Sequence, residues 1–290
     1  MNYYLEFPKN FHFKRTVNSH GWRSLAPFEF DETNGNLKYV FSGKPLKTPV
    51  AANIGEEGGK IKIEISGGHI SSAAQTKILR DVRHILRFDD DLKAFYKLTK
   101  QEKEFDWIAK NNAGRLLRSP TVFEDLVKTI CTTNCSWALT KKMVNNLVEK
   151  LGEVSDGGKC GFPTAEKMAE MPPDFYRSEI RAGYRAPYFA ELAEKVAAGK
   201  LNPENWLDTD LPTRELKKQM KQIKGVGDYA AENLLKLVGR YDGLALDSWL
   251  RAQFYKQRNA SLICGDQEIE NFYSQFGEWK GLAIWCDLSK

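Results

Sequence analysis

Two helices meeting at a glycine turn are written into Met220-Lys221-Gln222-Ile223-Lys224-Gly225-Val226-Gly227-Asp228-Tyr229-Ala230-Ala231-Glu232-Asn233-Leu234-Leu235. Apolar residues stand at 220 and 223, glycines at 225 and 227 flank Val226, small Ala231 falls where the helices would touch, and 234 and 235 are apolar again. Glycines permit the sharp turn and close backbone approach, and the amides opening the second helix face outward with the positive end of its dipole. Such a hairpin can hold a nucleic-acid phosphate without reading bases. Gly-x-Gly alone would fit an ordinary αα-hairpin equally well.

Charge adds weight to the first reading. The chain carries a net charge of +5, and the segment from Leu211 to Ala260, with ten Lys/Arg against five Asp/Glu, accounts for all of it. A charge cluster by itself is usually a solvated helical face. The hairpin motif inside this one makes a phosphate-binding surface the better expectation.

Outward from the hairpin, the apolar period is that of helices: residues 71–85, 91–98, 120–130, 137–151, 185–198, 211–222, 228–238, 247–257 and 266–275. Pro120-Thr121 and Pro163-Thr164 are helix entries, and Gly152 and Gly239 helix stops. Phe272 to Leu282 suggests a closing helix pair. Before about residue 68 the period shortens to that of strands, at Phe11 to Phe13, Phe28 to Phe30, Leu37 to Phe41 and Ile61 to Ile65. Turns are expected at Asn34-Gly35-Asn36 and Gly55-Glu56-Glu57-Gly58-Gly59. The expectation is an α+β chain, mainly α: a small N-terminal antiparallel sheet over 1–68, then an all-α domain over 69–290, the switch lying at Gly67-Gly68.

Composition removes several classes. Of 290 residues, 42% are hydrophobic and 28% charged, enough apolar material for a core and unlike a disordered chain. No run of about 18 apolar residues could span a bilayer, and the N-terminus does not read as a secretory signal. A soluble, intracellular protein is expected. Five scattered cysteines, Cys131, Cys135, Cys160, Cys264 and Cys286, are unlike a disulfide framework; Cys131 and Cys135 are expected to share a buried helix face. His12, His20, His69 and His84 show no zinc-ligand spacing among themselves or with the cysteines.

Eighteen residues beyond Tyr229 stands Asp247, in Gly243-Leu244-Ala245-Leu246-Asp247-Ser248-Trp249-Leu250-Arg251. An aspartate before a helix is ordinarily an N-cap, and the two roles can coexist. This hairpin followed by this aspartate resembles the helix-hairpin-helix (HhH-GPD) DNA glycosylase superfamily, which removes damaged bases in base excision repair. Gly114-Arg115-Leu116-Leu117-Arg118-Ser119-Pro120-Thr121 leading into Ile130-Cys131-Thr132-Thr133-Asn134, and Ala182-Gly183-Tyr184-Arg185-Ala186-Pro187, are similar to the 8-oxoguanine glycosylase branch, as is the order of sheet before helices.

The resemblance implies roles by position. Asn134, Tyr184 and Arg185 would fill the gap left by an extruded nucleotide and contact its orphaned partner; Leu139 stands where that branch carries an arginine that helps read the opposite cytosine. Lys224, Gly225, Val226 and Gly227 would grip the DNA backbone. Bifunctional relatives carry at the position of Tyr229 a lysine that attacks C1′ and enables strand cleavage. Tyrosine cannot form that imine, which points to a monofunctional glycosylase of the kind seen among 3-methyladenine glycosylases. Asp247 would stabilise the oxocarbenium-like sugar and orient or deprotonate water. Tyr229, Asn233, Trp249, Ile284, Trp285 and Leu288, with Trp137, are the candidate walls of the base pocket, although each aromatic could simply be core; His20 and Trp22 are evenly balanced between pocket edge and core.

An alkylated purine of the 3-methyladenine type is thus the favoured substrate, with an oxidised purine of the 8-oxoguanine type as the alternative within the class. A damaged-DNA reader without catalysis is the alternative outside it. The expected partner is double-stranded DNA containing a damaged base, bound by a monomer, with no membrane contact. The cellular site would be a bacterial cytoplasm or a eukaryotic nucleus. No organic cofactor is implied, and a metal ion held by backbone carbonyls of the hairpin turn is what family members often carry.

Overall fold

The computed structural model describes residues 1–66 and 70–289. The switch at Gly67-Gly68, and His69, lie outside the described residues. Strands β1 (Asn2–Leu5), β2 (Glu29–Asp31), β3 (Asn36–Phe41), β4 (Val50–Glu57) and β5 (Lys60–Ile65) form one antiparallel sheet in the order β1-β5-β4-β3-β2. Its register sets Leu37, Tyr39 and Phe41 opposite Ile54, Ala52 and Val50, and Ile54 and Ala52 opposite Ile63 and Ile65. All of these are buried, so every second residue of three adjacent strands supplies one apolar face.

The sheet differs from the sequence reading in several details, first in that β1 and β4 are strands which the pattern did not mark. Phe11 to Phe13 is not a strand: Phe13 opens a short helix, α1 (Phe13–Val17), because Phe13, Thr16 and Val17 at helical spacing bury together. Gly55 to Glu57 belong to β4, and the turn contracts to Gly58-Gly59, whose φ values of +60° and +75° are those a two-residue hairpin demands at both positions.

The helices follow as α2 (Ser72–Ile85), α3 (Lys93–Thr99), α4 (Asp106–Lys110), α5 (Val122–Thr132), α6 (Trp137–Leu151), α7 (Ala165–Ala169), α8 (Pro173–Ser178), α9 (Ala186–Ala197), α10 (Thr213–Lys221), α11 (Asp228–Leu237), α12 (Ser248–Arg258), α13 (Asp266–Tyr273) and α14 (Lys280–Leu288). Thr121 and Thr164 cap α5 and α7 as expected, their hydroxyls accepting from the Glu124 and Lys167 amides. Gly152 ends α6, and Gly239, at φ +90°, follows the end of α11. Cys135 lies beyond the end of α5, so it shares no helix with buried Cys131; its thiol instead donates to the Cys131 carbonyl at 3.1 Å.

One core joins the sheet's buried face to α2, α5, α6, α9 and the hairpin helices, and a second gathers α3, α4, α12, α13 and α14. Gly281 locks the second core to the loop before α12. A Cβ there would fall 2.0 Å from the Gly243 carbonyl oxygen, and its amide donates to the Tyr241 carbonyl at 2.7 Å. None of the described helices is long and apolar enough to cross a membrane.

Candidate active site

The hairpin forms as its spacing requires. Ile223 and Val226 are buried and joined by a Val226 N–H to Ile223 carbonyl bond of 3.0 Å. Gly225 has φ +90°, and a Cβ would sit 2.9 Å from the Tyr188 ring and 3.3 Å from Ile130, so both backbone and space exclude a side chain. Gly227, the N-cap of α11, offers no side-chain cap, and a Cβ there would meet nothing within 4 Å. Its side of the turn is open.

Lys224, Gly225, Val226, Gly227, Asn134 and Tyr184 line one open groove of about 810 Å³ that also reaches Tyr229 and Asp247. Two of the expected DNA contacts change character. The Val226 side chain turns into the core, leaving only its backbone to the groove. Arg185 is buried; its guanidinium donates to the Thr133 carbonyl and hydroxyl and lies 4.4 Å from the centre of the Tyr184 ring. It braces exposed Tyr184 and the turn bearing Asn134, at φ +46°, rather than reaching outward itself.

The basic segment is likewise less free than its net charge suggests. Lys217 and Lys221 pair with Asp228, Lys224 with Glu191 at 2.6 Å, Arg251 with Asp266 and Arg258 with Asp287. Lys236 is buried altogether.

Adjoining the groove is a pocket of about 590 Å³, lined on one side by α11 and the start of α12, on another by Asn18 to Trp22, and elsewhere by Trp137 and Trp285. Tyr229, Asn233, Lys236 and Leu237 face it from α11, positions that share one face at helical spacing. Trp285 and Ser289 face it from the end of α14, four residues apart. Ile284 and Leu288, also four apart, occupy the opposite register and are buried in the second core, so neither is a pocket wall. His20 and Trp22 prove to be pocket residues, Trp22 anchored by its indole N–H to Asp125 Oδ1 at 2.7 Å.

Tyr229 and Asp247, with Thr132 and Cys135, border both the groove and the pocket, which places them at the passage between the two. Asp247 caps α12, its Oδ1 accepting the Leu250 N–H at 2.7 Å. The loop before it is tied down twice: Glu232 accepts the Ala245 N–H at 2.5 Å, and Lys236 Nζ donates to the Leu244 carbonyl at 2.9 Å. Burial, and then the Asp247 carboxylate beside it, push the Tyr229 phenol up to about 12. Burial pulls the Lys236 ammonium down to about 8 against the favourable charges of Glu232 and Asp247. His20, whose Nε2–H donates to the Leu117 carbonyl at 2.5 Å, is pulled down to about 4 by burial and is neutral at pH 7.

Residues 127–283 match the model of the family described as HhH-GPD superfamily base excision DNA repair protein. The chain belongs to that superfamily. An N-glycosylase/DNA lyase of Saccharomyces cerevisiae is 25% identical over 155 residues, which is 49% of this chain and 41% of that one. The match spans less than two thirds of the length of the other curated relatives as well. Among solved structures, a 3-methyladenine DNA glycosylase from Archaeoglobus fulgidus superposes with TM-score 0.77 at 17% identity, covering 99% of this chain and 97% of that one. An 8-oxoguanine glycosylase/lyase from Clostridium acetobutylicum gives 0.75 at 20% identity, covering 100% and 98%. The sheet-then-helices architecture is therefore the superfamily's fold.

Lys236 is a site residue that the sequence reading missed. It entered only as one charge of the basic segment. The available signal was its place in Leu234-Leu235-Lys236-Leu237, a lone cation in a buried run, seven residues and two helical turns from Tyr229.

Proposed function

We propose that this protein is a monofunctional DNA glycosylase, which draws a damaged purine nucleotide out of duplex DNA and hydrolyses its C1′–N bond. The observation that carries the reading is the position of Asp247 and Tyr229 at the passage from the hairpin groove into the pocket. A backbone held at the hairpin would bring the sugar to that passage and the base beyond it. Asn134 and Tyr184, on the groove, would occupy the vacated stack.

Cleavage leaves positive charge on the sugar, and a fixed carboxylate in a site screened from water stabilises it strongly. The Asp247 carboxylate is oriented by its helix-capping bond through one oxygen, which holds the group towards the passage. It would also take the proton of the attacking water. Tyr229 supplies a wall and a phenol, held protonated, but no amine; hydrolysis should therefore stop at the abasic site. A cation at the hairpin turn would be held by backbone carbonyls, a donor set that depends on no side chain.

Single-turnover incubation with duplexes carrying oxidised, deaminated or alkylated purines tests this. Wild type should give breaks only after alkali, and Asp247→Asn should lose about 10² to 10³ in rate while keeping its cap and its melting temperature. Breaks without alkali would sink the monofunctional assignment. Product from Asp247→Asn at the wild-type rate would remove Asp247 from the chemistry.

A further inference from the structure

Lys236 lies beyond the passage. It lines the pocket but not the groove, unlike Tyr229 and Asp247. Seven residues along α11 from Tyr229, its backbone is about 10 Å further along the helix axis, and the residue lines the pocket in which a flipped base would rest. It is 2% exposed. Its Nζ has a single hydrogen-bond acceptor, the Leu244 carbonyl, and lies 5.6 Å from the centre of the Trp285 ring. No carboxylate among the described residues is within ion-pair distance of it. An ammonium carries three donors, so two are uncommitted beside a pocket walled in part by Trp137, Trp249 and Trp285.

Resting on the glycosylase reading above, we infer that Lys236 reads the flipped base, and that the pocket takes neutral purines with carbonyl acceptors, oxidised or deaminated, in preference to cationic alkylpurines. Two physical effects act in the same direction. A purine alkylated at N3 or N7 enters its site positively charged and would meet a buried ammonium, a repulsion amplified by low dielectric. A neutral purine leaves with the C1′–N9 electron pair and becomes an anion unless assisted. An ammonium hydrogen-bonded to its edge stabilises that charge as it forms. In balance, the C1′–N9 bond breaks as water adds its hydroxyl to C1′; the other water proton is taken by Asp247 and returns through solvent to the departing base, so that Asp247 ends ionised and one water is consumed per base released. A cationic base departs neutral and needs no such help. The favoured substrate thereby shifts from the alkylated purine expected from Tyr229 to the oxidised or deaminated one.

Glu232, Asp247, Cys286 and neutral His20 are the titratable groups facing Lys236 from α11, the loop before α12, α14 and the sheet side. With these around it, excision of a neutral purine should decline as pH rises through about 8, and excision of a cationic one should not.

Single-turnover excision and equilibrium binding are to be measured for wild type, Lys236→Gln and Lys236→Met, on duplexes containing 8-oxoguanine or hypoxanthine and on duplexes containing 7-methylguanine. Wild type should favour the neutral pair at least tenfold. Lys236→Gln, which keeps a donor for the Leu244 carbonyl, should lose about a hundredfold on that pair, hold or gain on 7-methylguanine, and lose the pH dependence. An equal fall on both classes, restored by Gln relative to Met, would make Lys236 a loop anchor and overturn the inference. A wild-type preference for 7-methylguanine would overturn it as well. If no base is released from any duplex, the glycosylase reading fails separately. Tighter wild-type binding to neutral lesions, lost in Lys236→Gln, would then still uphold the pocket's preference, and equal binding would end both.

Discussion

At the seam between the sheet and α5, Lys128 is fully enclosed with Glu124 at 2.6 Å, Ser119 at 3.4 Å and the Phe28 ring at 4.7 Å. Glu124 in turn accepts the Tyr39 hydroxyl at 2.6 Å, and Asp125 beside it accepts from the Trp22 indole and the Ser119 amide. In the pocket, Lys236 is almost as enclosed but has one carbonyl and no counter-ion. Both lysines sit on helices amid apolar residues. At the seam the protein answers each buried charge with a partner of its own; in the pocket it leaves donors open. Burial is common to structure and function here, and open hydrogen-bonding capacity is what separates them.

The largest expected effect breaks the seam. Glu124→Ala strands Lys128 without its carboxylate and should cost about 3–5 kcal/mol of unfolding free energy, read from urea denaturation. A loss below about 1 kcal/mol would mean that water reaches Lys128 and that the two sites are not different in kind.

The pH dependence of stability sharpens the contrast from the other side. Lys236 has its folded-state value near 8, below its ordinary 10.5, so between those values the unfolded chain binds more protons. Stability should rise with pH across that window, by up to about 3 kcal/mol, and Lys236→Met should abolish the rise. Asp125 runs the opposite way: burial raises it from 3.8 to about 6, so its contribution is greatest below pH 4 and is lost by pH 6. Paired denaturation series over pH 4–6 and 8–10.5, with Asp125→Asn and Lys236→Met, separate the two. A flat wild-type curve above pH 8 would show that Lys236 is solvated.

What the sequence disclosed follows from which forces act locally. The hairpin was legible because Gly225 is demanded by its backbone and by close approach within a few residues, and Asp247 because a cap precedes its helix. The strand β4, with Ala51, Ala52, Asn53 and Gly55, carries weak β-propensity and exists because β3 and β5 pair with it on both sides. Ile284 and Leu288 were misplaced by the rotation of one helix, a quantity that α14 takes from its packing against Gly243 and not from its own residues. Arg185 and Lys236 were misread for a shared reason: a charged residue is assigned to the surface by type, while its burial depends on segments distant in sequence, the Thr133 turn and the Leu244 loop.

The smallest effect tests the comparison at the surface. Lys224 is paired with Glu191 as Lys128 is with Glu124, yet it stands on the hairpin with its side chain 62% exposed. If a partner always marked a structural lysine, Lys224 would contribute nothing to DNA binding. In water, however, such a pair is weak and exchanges readily for another anion, and a DNA phosphate held at the open side of Gly227 would compete with Glu191 for it. Lys224→Gln should leave the melting temperature unchanged, weaken duplex binding a few-fold and make the slope of log affinity against log salt shallower by about 0.9. Glu191→Gln, which frees Lys224, should tighten binding. An unchanged salt slope in Lys224→Gln would mean that the pair persists in the complex, and that pairing, exposed or buried, is sufficient to mark a lysine as structural in this protein.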